Sequence, residues 1–330
     1  MTKTLDRRLA SILAGTYRPD DFIIADAKDA DMARGLESAG PQRPGPDGRP
    51  RGGFRPRPDF LEDMAQIAGQ AEIDILLASA SNGEVLADEG RFQGSPVTLA
   101  VRANDATDIW LARNSSYSRE LSRPFRSVNL ELVRRFCDLG LYSITFNNDL
   151  AHDLASVEAY ARFREDARRV GLRHFLEVFN PNAPVALAPE AVPAFVNDSI
   201  HRTLAGLTRA ERPLFLKITY NGPRALEELV ADDPGRVVGV LGGSAGTTRD
   251  CYELLAQAGR HGARVALYGR KIQLAESPLD LVALMRPVIR GDLSPAEAVR
   301  AYHAALEKKG LRPARTLDAD AQITEAVLRG

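Results

Sequence analysis

Short apolar runs alternate with amphipathic stretches along most of the chain. A helical pattern over residues 4–14 comes first, and "FIIAD" behind it predicts a strand. A helix at about 59–69 precedes "IDILLAS" (73–79), and "VTLAVRA" (97–103) follows directly. A long loop holding Trp110 leads to the helical pattern "SVNLELVRRFCDLG" and then to "YSITFN" (142–147). The helix "SVEAYARFREDARRVG" gives way to "RHFLEVFN" (173–180), helix 190–209 to "PLFLKITYN", and helix 224–231 to "RVVGVLGG" (236–243). "TRDCYELLAQAGRHG" precedes the last strand, "RVALYGR" (264–270), and a closing helix runs through "SPLDLVALMRPVIRG". Strands that alternate with helices form parallel βαβ units. Eight of them point to an α/β fold of the closed (β/α)8 class, a TIM barrel, read as one domain over 1–330 with a helical extension at 294–330. An open doubly wound sheet would need a glycine fingerprint at its first turn, and "ADAKDADMA" contains no glycine.

One stretch breaks the rhythm. Residues 40–59, "GPQRPGPDGRPRGGFRPRPD", are dominated by proline, glycine and arginine and predict an irregular loop. Its arginines suit a lid that meets anions as well as they suit a plain linker.

Composition narrows the function. A hydrophobic fraction of 44%, a charged fraction of 26% and a net charge of −1 describe an ordinary globular protein, with no charge excess to attract nucleic acid or an anionic membrane. No apolar run approaches the roughly 20 residues of a membrane span, and the N-terminus lacks the apolar core of a signal peptide. A cytoplasmic location is the expectation. Cys137 and Cys251 read as buried apolar groups, and the histidines show no ligand spacing, so no cofactor is expected.

Strand parity singles out the chemistry. In "LFLKITYN", Leu214, Leu216 and Ile218 form a helix-facing side, which turns Phe215, Lys217 and Thr219 into the barrel. The same parity turns Glu177 inward in "HFLEVFN", Ser143 and Thr145 inward in "YSITFN", and Arg102 inward in "TLAVRAN". In "FIIAD" the expectation places Asp26 inside with them. Buried charges are costly unless paired. Asp26, Arg102, Glu177 and Lys217 therefore form either a structural ion-pair network or a site, and their place near the C-terminal ends of the strands favours a site. A desolvated lysine favours the neutral amine, the nucleophile that attacks a carbonyl to form a Schiff base. The proton transfers of that chemistry need a carboxyl group, for which Glu177 and Asp26 are the candidates. A metal held by Asp26, Asp29 and Asp31 is a second reading, and a barrel that only binds a sugar phosphate is a third.

The loops after the last two strands carry glycine. "VVGVLGGSAGTTRD" offers Gly242, Gly243 and Ser244, and "VALYGRK" offers Gly269 and Arg270. Backbone N–H groups in such loops hold anions, and this end of the fold is its recurrent phosphate site. The expected ligand is a small phosphorylated or sulfonated molecule.

Over residues 213–290 the chain resembles the class I aldolases of the DeoC/LacD type, above all the branch with archaeal-type fructose-bisphosphate and tagatose-bisphosphate aldolases. The resemblance implies a Schiff-base lysine on the sixth strand in a K-x-x-Y-x-G setting, matched by Lys217, Tyr220 and Gly222. It further implies phosphate loops at Gly242–Gly243 and Gly269–Arg270, an aspartate ending the first strand at Asp26, and a proton-transferring glutamate at Glu177. The chain departs from the family where Ser143 and Thr145 replace a second lysine and where "AKD" follows Asp26, with Lys28 as a partial substitute. The expectation is thus a metal-independent aldolase or transaldolase acting on a small phosphorylated sugar or keto compound, a homo-oligomer with Lys28 and Arg102 among its substrate contacts.

Overall fold

Eight parallel strands close into a barrel: β1 (Ile23–Ala27), β2 (Ile75–Ala78), β3 (Thr98–Arg102), β4 (Leu139–Thr145), β5 (Arg173–Phe179), β6 (Leu216–Ile218), β7 (Val238–Leu241) and β8 (Val265–Tyr268). Each pairs with its neighbours in sequence and β8 closes on β1, with Ile23 opposite Val265. The computed structural model describes residues 2–42, 52–243 and 246–329. Residues 43–51 of the arginine-rich stretch, and Ser244 of the glycine loop, lie outside them.

The strands are β-branched and aliphatic on both faces because both are covered, as parallel sheets require. Ile24, Leu76, Val101, Ile144, Leu176, Ile218, Val240 and Ala266 face the helices. Ile23, Ile75, Leu139, Phe175, Phe215 and Val265 fill the barrel. The helix α1 (Thr4–Leu13) stoppers its N-terminal end, where Leu5 and Leu9 join that interior cluster. Around the outside run α2 (Arg57–Gln70), α3 (Ala80–Asp88), α4 (Leu150–Val170), α5 (Val192–Ala205), α6 (Pro223–Asp232) and α7 (Thr248–Arg260). After β8 the closing helix is broken into Pro278–Ala283 and Met285–Arg290, and α8 (Pro295–Lys308) leads to a tail that packs on α7. Among the described residues no helix is long and apolar enough to cross a membrane. Both cysteines are buried and free.

The sequence pattern differs from the structure in three places. Residues 127–140 form only one helical turn, Leu130–Val133, because β4 begins at Leu139, whose side chain fills the barrel. Helix α3 has no legible stripe: its buried face is Asn82, Gly83 and Leu86, and Gly83 packs so closely that an added Cβ would lie 3.2 Å from Val101. Helix α2 begins at Arg57, inside the stretch read as irregular.

The interior is layered. Leu141 pairs with Phe175, and the Phe175 and Phe215 rings stack at 4.6 Å with 17° between their planes. One inward step higher, Ser143, Glu177 and Lys217 stand in register. The aromatic pair is therefore the floor under the charged layer. Phe215→Ala is expected to lower stability by about 3–5 kcal/mol, because the closed barrel cannot collapse around the lost ring. Urea denaturation of parent and variant measures the loss.

Candidate active site

A cavity of about 410 Å³ opens at the C-terminal end of the barrel, lined among others by Asp29, Arg102, Glu177 and Lys217. Lys217 is only 5% exposed, and its Nζ lies 2.5 Å from Glu177 Oε1. The other carboxylate oxygen, Oε2, accepts from Ser143 Oγ at 2.6 Å and from Arg102 Nη2 at 3.2 Å. Arg102 continues the network: its Nη1 donates to Ser143 Oγ at 2.8 Å and its Nε to Asp29 at 2.5 Å. Asn104 fixes the backbone beneath, donating to Ser143 O at 2.9 Å and accepting from Ser143 N at 2.7 Å. Burial alone would push the Glu177 carboxyl up, but Lys217 and Arg102 outweigh it and hold its pKa below the ordinary value. Burial likewise opposes the Arg102 charge, and Asp29 and Glu177 override it, so its pKa is raised. The result is a carboxylate held ionised against a primary amine at a solvent-accessible mouth.

The expectation for Asp26 is corrected. Ile23 and Ala25 point into the barrel, so Ile24 and Asp26 point toward the helices. Both faces of β1 are apolar up to that point, and nothing in the sequence fixes which one is inner. Asp26 meets Lys28 at 3.1 Å in a pair buried behind the barrel wall, away from the Lys217 cavity. Among the described residues neither Asp26 oxygen accepts a well-formed hydrogen bond. Burial pushes its carboxyl up to about 6 against the opposing pull of Lys28, and burial lowers the Lys28 amine. Lys28 lines a separate hollow with Phe54 and Phe60. The acid that reaches the cavity is Asp29, one of the residues weighed as a metal ligand. It continues, at a period of two, the inner face of Ile23 and Ala25, a phase that the structure fixes.

The metal reading loses its geometry. Asp29 is held by Arg102, Asp31 accepts from Ser79 Oγ at 2.5 Å and Asn82 Nδ2 at 2.9 Å, and Asp26 faces the other way. Among the described residues no group of His, Cys, Asp and Glu is arranged to hold a metal ion. Tyr220 also lies outside the cavity: it packs in the helix-facing layer and donates to Gln257 Oε1 at 3.0 Å. Arg102 is in the cavity wall, but its guanidinium is engaged by Asp29, Ser143 and Glu177.

The glycine loops do reach the mouth. Gly242, Gly243, Gly269 and Arg270 all line the cavity, and Arg270 Nη2 donates to Gly243 O at 3.0 Å. Gly242 is pressed against β8, where an added Cβ would lie 2.5 Å from the Tyr268 ring and 3.0 Å from its Cα. Gly243 adopts φ +60°, a conformation that favours glycine. Sequence reasoning missed two further charged lining residues. Arg34, from a short helix after β1, stands close enough to Arg270 that, after burial, it is the main influence lowering the Arg270 pKa. Asp108, in the loop after β3, accepts from Ser122 Oγ at 2.7 Å and from Thr145 Oγ1, and burial raises its pKa.

No family model matches the chain, and no curated protein does. Among solved structures it is similar to a Schiff-base-forming fructose-1,6-bisphosphate aldolase at 17% identity and TM-score 0.62, with 85% of this chain and 99% of that one covered. An archaeal fructose-1,6-bisphosphate aldolase, its catalytic lysine covalently bound to the carbinolamine intermediate, matches at 17% identity and TM-score 0.60, with 86% and 100% covered. A fructose-bisphosphate aldolase from Slackia heliotrinireducens matches at 13% identity and TM-score 0.65, with 92% and 90% covered. At these identities the likeness establishes the fold, over most of the chain.

The buried Asp26 makes a pH-dependent contribution. Its pKa is raised from 3.8 to about 6 on folding, so its contribution to stability is fully present below pH 3.8 and is lost as the pH rises through 6. Asp26→Asn abolishes that loss. Relative to the parent, the variant should gain about 1 kcal/mol in stability between pH 5 and pH 7. Denaturant titrations of both proteins across that range measure the difference.

Proposed function

We propose that the protein is a class I aldolase, making or breaking a carbon–carbon bond beside the carbonyl of a small phosphorylated sugar or keto compound. The observation that carries this reading is the buried Lys217–Glu177 contact of 2.5 Å at the C-terminal mouth of the barrel. In the proposed cycle Glu177 takes a proton from the Lys217 ammonium, and the neutral amine attacks the substrate carbonyl carbon. Glu177 returns the proton to the carbinolamine hydroxyl, which leaves as water, and an iminium remains on Nζ. Glu177, again a carboxylate, takes the proton of the β-hydroxyl as the carbon–carbon bond breaks. The electron pair moves into the iminium, the aldehyde departs, and an enamine is left, to be protonated and hydrolysed. The iminium is the electron sink, so the bond cleavage needs no metal.

Arg102 and Ser143 hold Glu177 at the angle from which it serves each proton transfer. Asp29 balances Arg102 and keeps the guanidinium from drawing Glu177 away from Lys217. The glycine loops with Arg270 hold the anionic group of the substrate, through backbone N–H groups and a guanidinium.

One observation favours a second reading. A lysine locked in its ion pair would suit a barrel that binds a sugar phosphate and does no chemistry. Borohydride reduction in the presence of dihydroxyacetone phosphate separates the two. The aldolase reading expects a covalent adduct on Lys217 by peptide mass analysis, none in Lys217→Met, and no turnover by that variant. Glu177→Gln should lower kcat by about 10²–10⁴-fold. If dihydroxyacetone phosphate and a panel of ketose phosphates leave Lys217 unmodified and no turnover is seen, the aldolase reading fails and the binding reading stands; turnover by Lys217→Met defeats both.

A further inference from the structure

The wall of the cavity is divided by charge. Around the barrel the strands run β1, β8, β7, β6, β5, β4, β3, β2, and Lys217 on β6 lies between two arcs. On one side, Arg34 follows β1 together with Asp29, whose charge is taken up by Arg102, while Gly269 and Arg270 follow β8, and Gly242 and Gly243 follow β7. On the other, the described lining is Asp108, Ile109 and Leu111 after β3, with Phe179, Asn180 and Asn182 at the end of β5. The single cation of that second arc, Arg102, is already bound between Asp29 and Glu177 at 2.5 and 3.2 Å.

We infer that the substrate carries one strongly anionic group, held by the β7–β8–β1 arc, and that the half released as aldehyde is uncharged, with a hydroxyl bound by Asp108. The inference rests on the aldolase reading for the identity of the two halves, but the charge preference it states belongs to the cavity itself. A phosphate placed on the β3–β5 arc would stand beside Asp108 and against Ile109, Leu111 and Phe179, with no free cation among the described lining residues. A charge desolvated there without a partner is strongly disfavoured. A hydroxyl fits the same place. Ser122 and Thr145 each donate to a different oxygen of Asp108, which fixes the carboxyl group and leaves a lone pair on each oxygen for a ligand. Asp108 here is a specificity-determining residue.

The test compares binding before any turnover. Isothermal titration of the protein with fructose 1-phosphate and with fructose 1,6-bisphosphate should show the monophosphate bound at least about tenfold more tightly. Asp108→Asn keeps the shape, removes the charge, and should narrow that ratio by relieving the repulsion of the second phosphate. In aldol addition with dihydroxyacetone phosphate, glyceraldehyde should be the better acceptor over glyceraldehyde 3-phosphate by kcat/KM. Equal or tighter binding of the bisphosphate overturns the inference, as does a monophosphate that fails to bind or an unchanged ratio in Asp108→Asn. Borohydride trapping on Lys217 is scored separately. Trapping with the wrong charge preference defeats this inference alone, and the right preference without trapping defeats the aldolase reading alone.

Discussion

Four charges buried at the mouth of the barrel, alternating in sign from Lys217 through Glu177 and Arg102 to Asp29, set the terms for everything above them. Each is unaffordable alone in so closed a place, and each is made tolerable by its neighbour. The chain of contacts ties β6 to β5, β5 to β3 and β3 to the segment after β1, while Ser143 on β4 joins Arg102 to Glu177. Half the circumference is thereby coupled through one layer of side chains. Below it the Phe175–Phe215 stack excludes water, which strengthens every electrostatic contact in the layer above.

The alternation also decides which of the acids serves the amine in the proposed cycle. Asp29 and Glu177 both touch Arg102, but only Glu177 also touches the amine. A proton can pass between Lys217 and Glu177 without any side chain changing rotamer. Arg102 then keeps the carboxylate oriented whichever partner holds the proton. The Asp26–Lys28 pair has similar ingredients and a different environment. It lies behind β1, where burial drives both groups toward their neutral forms, outside the cavity that holds Lys217.

Lys217, Glu177 and Arg102 were legible because each interrupts a strand whose other positions alternate cleanly between an aliphatic outer face and an inner one. A polar residue on such a strand has a known direction. Asp26 was misplaced because β1 is apolar on both faces, so the period was visible and its phase was not. Tyr220 and Lys28 entered through resemblance to a family pattern, and the backbone phase at those positions turns them out of the cavity. Arg34 and Asp108 belong to segments with no period at all, a four-residue helix and a long loop. The same limit hid α3, whose buried face is built from Asn82 and Gly83 where a stripe of leucines would have announced it.

Loop length explains how the mouth acquired two unlike sides. The turns that follow β7 and β8 carry glycines that bring backbone close to the cavity: Gly242 lies on Tyr268, and an added Cβ at Gly269 would stand 2.8 Å from Ala27 O. Such turns present N–H groups and suit an anion of any substituent. The connection from β3 to β4 is long enough to fold on itself. Asp105–Ala106 pairs with Pro124–Phe125 in a ribbon, Ser127 closes it on Asp105 at 2.7 and 2.8 Å, and Trp110 stacks on Tyr117 at 4.9 Å. A braced loop of that kind presents side chains at fixed positions, and among the described residues Asp108 is the charged one it directs at the cavity. On the proposed reading, recognition of the common part of a substrate therefore falls to backbone on one side of Lys217, and discrimination between substrates falls to side chains on the other. In the proposed reaction the Lys217 amine stands at the boundary, where the bond to be broken would join the two parts.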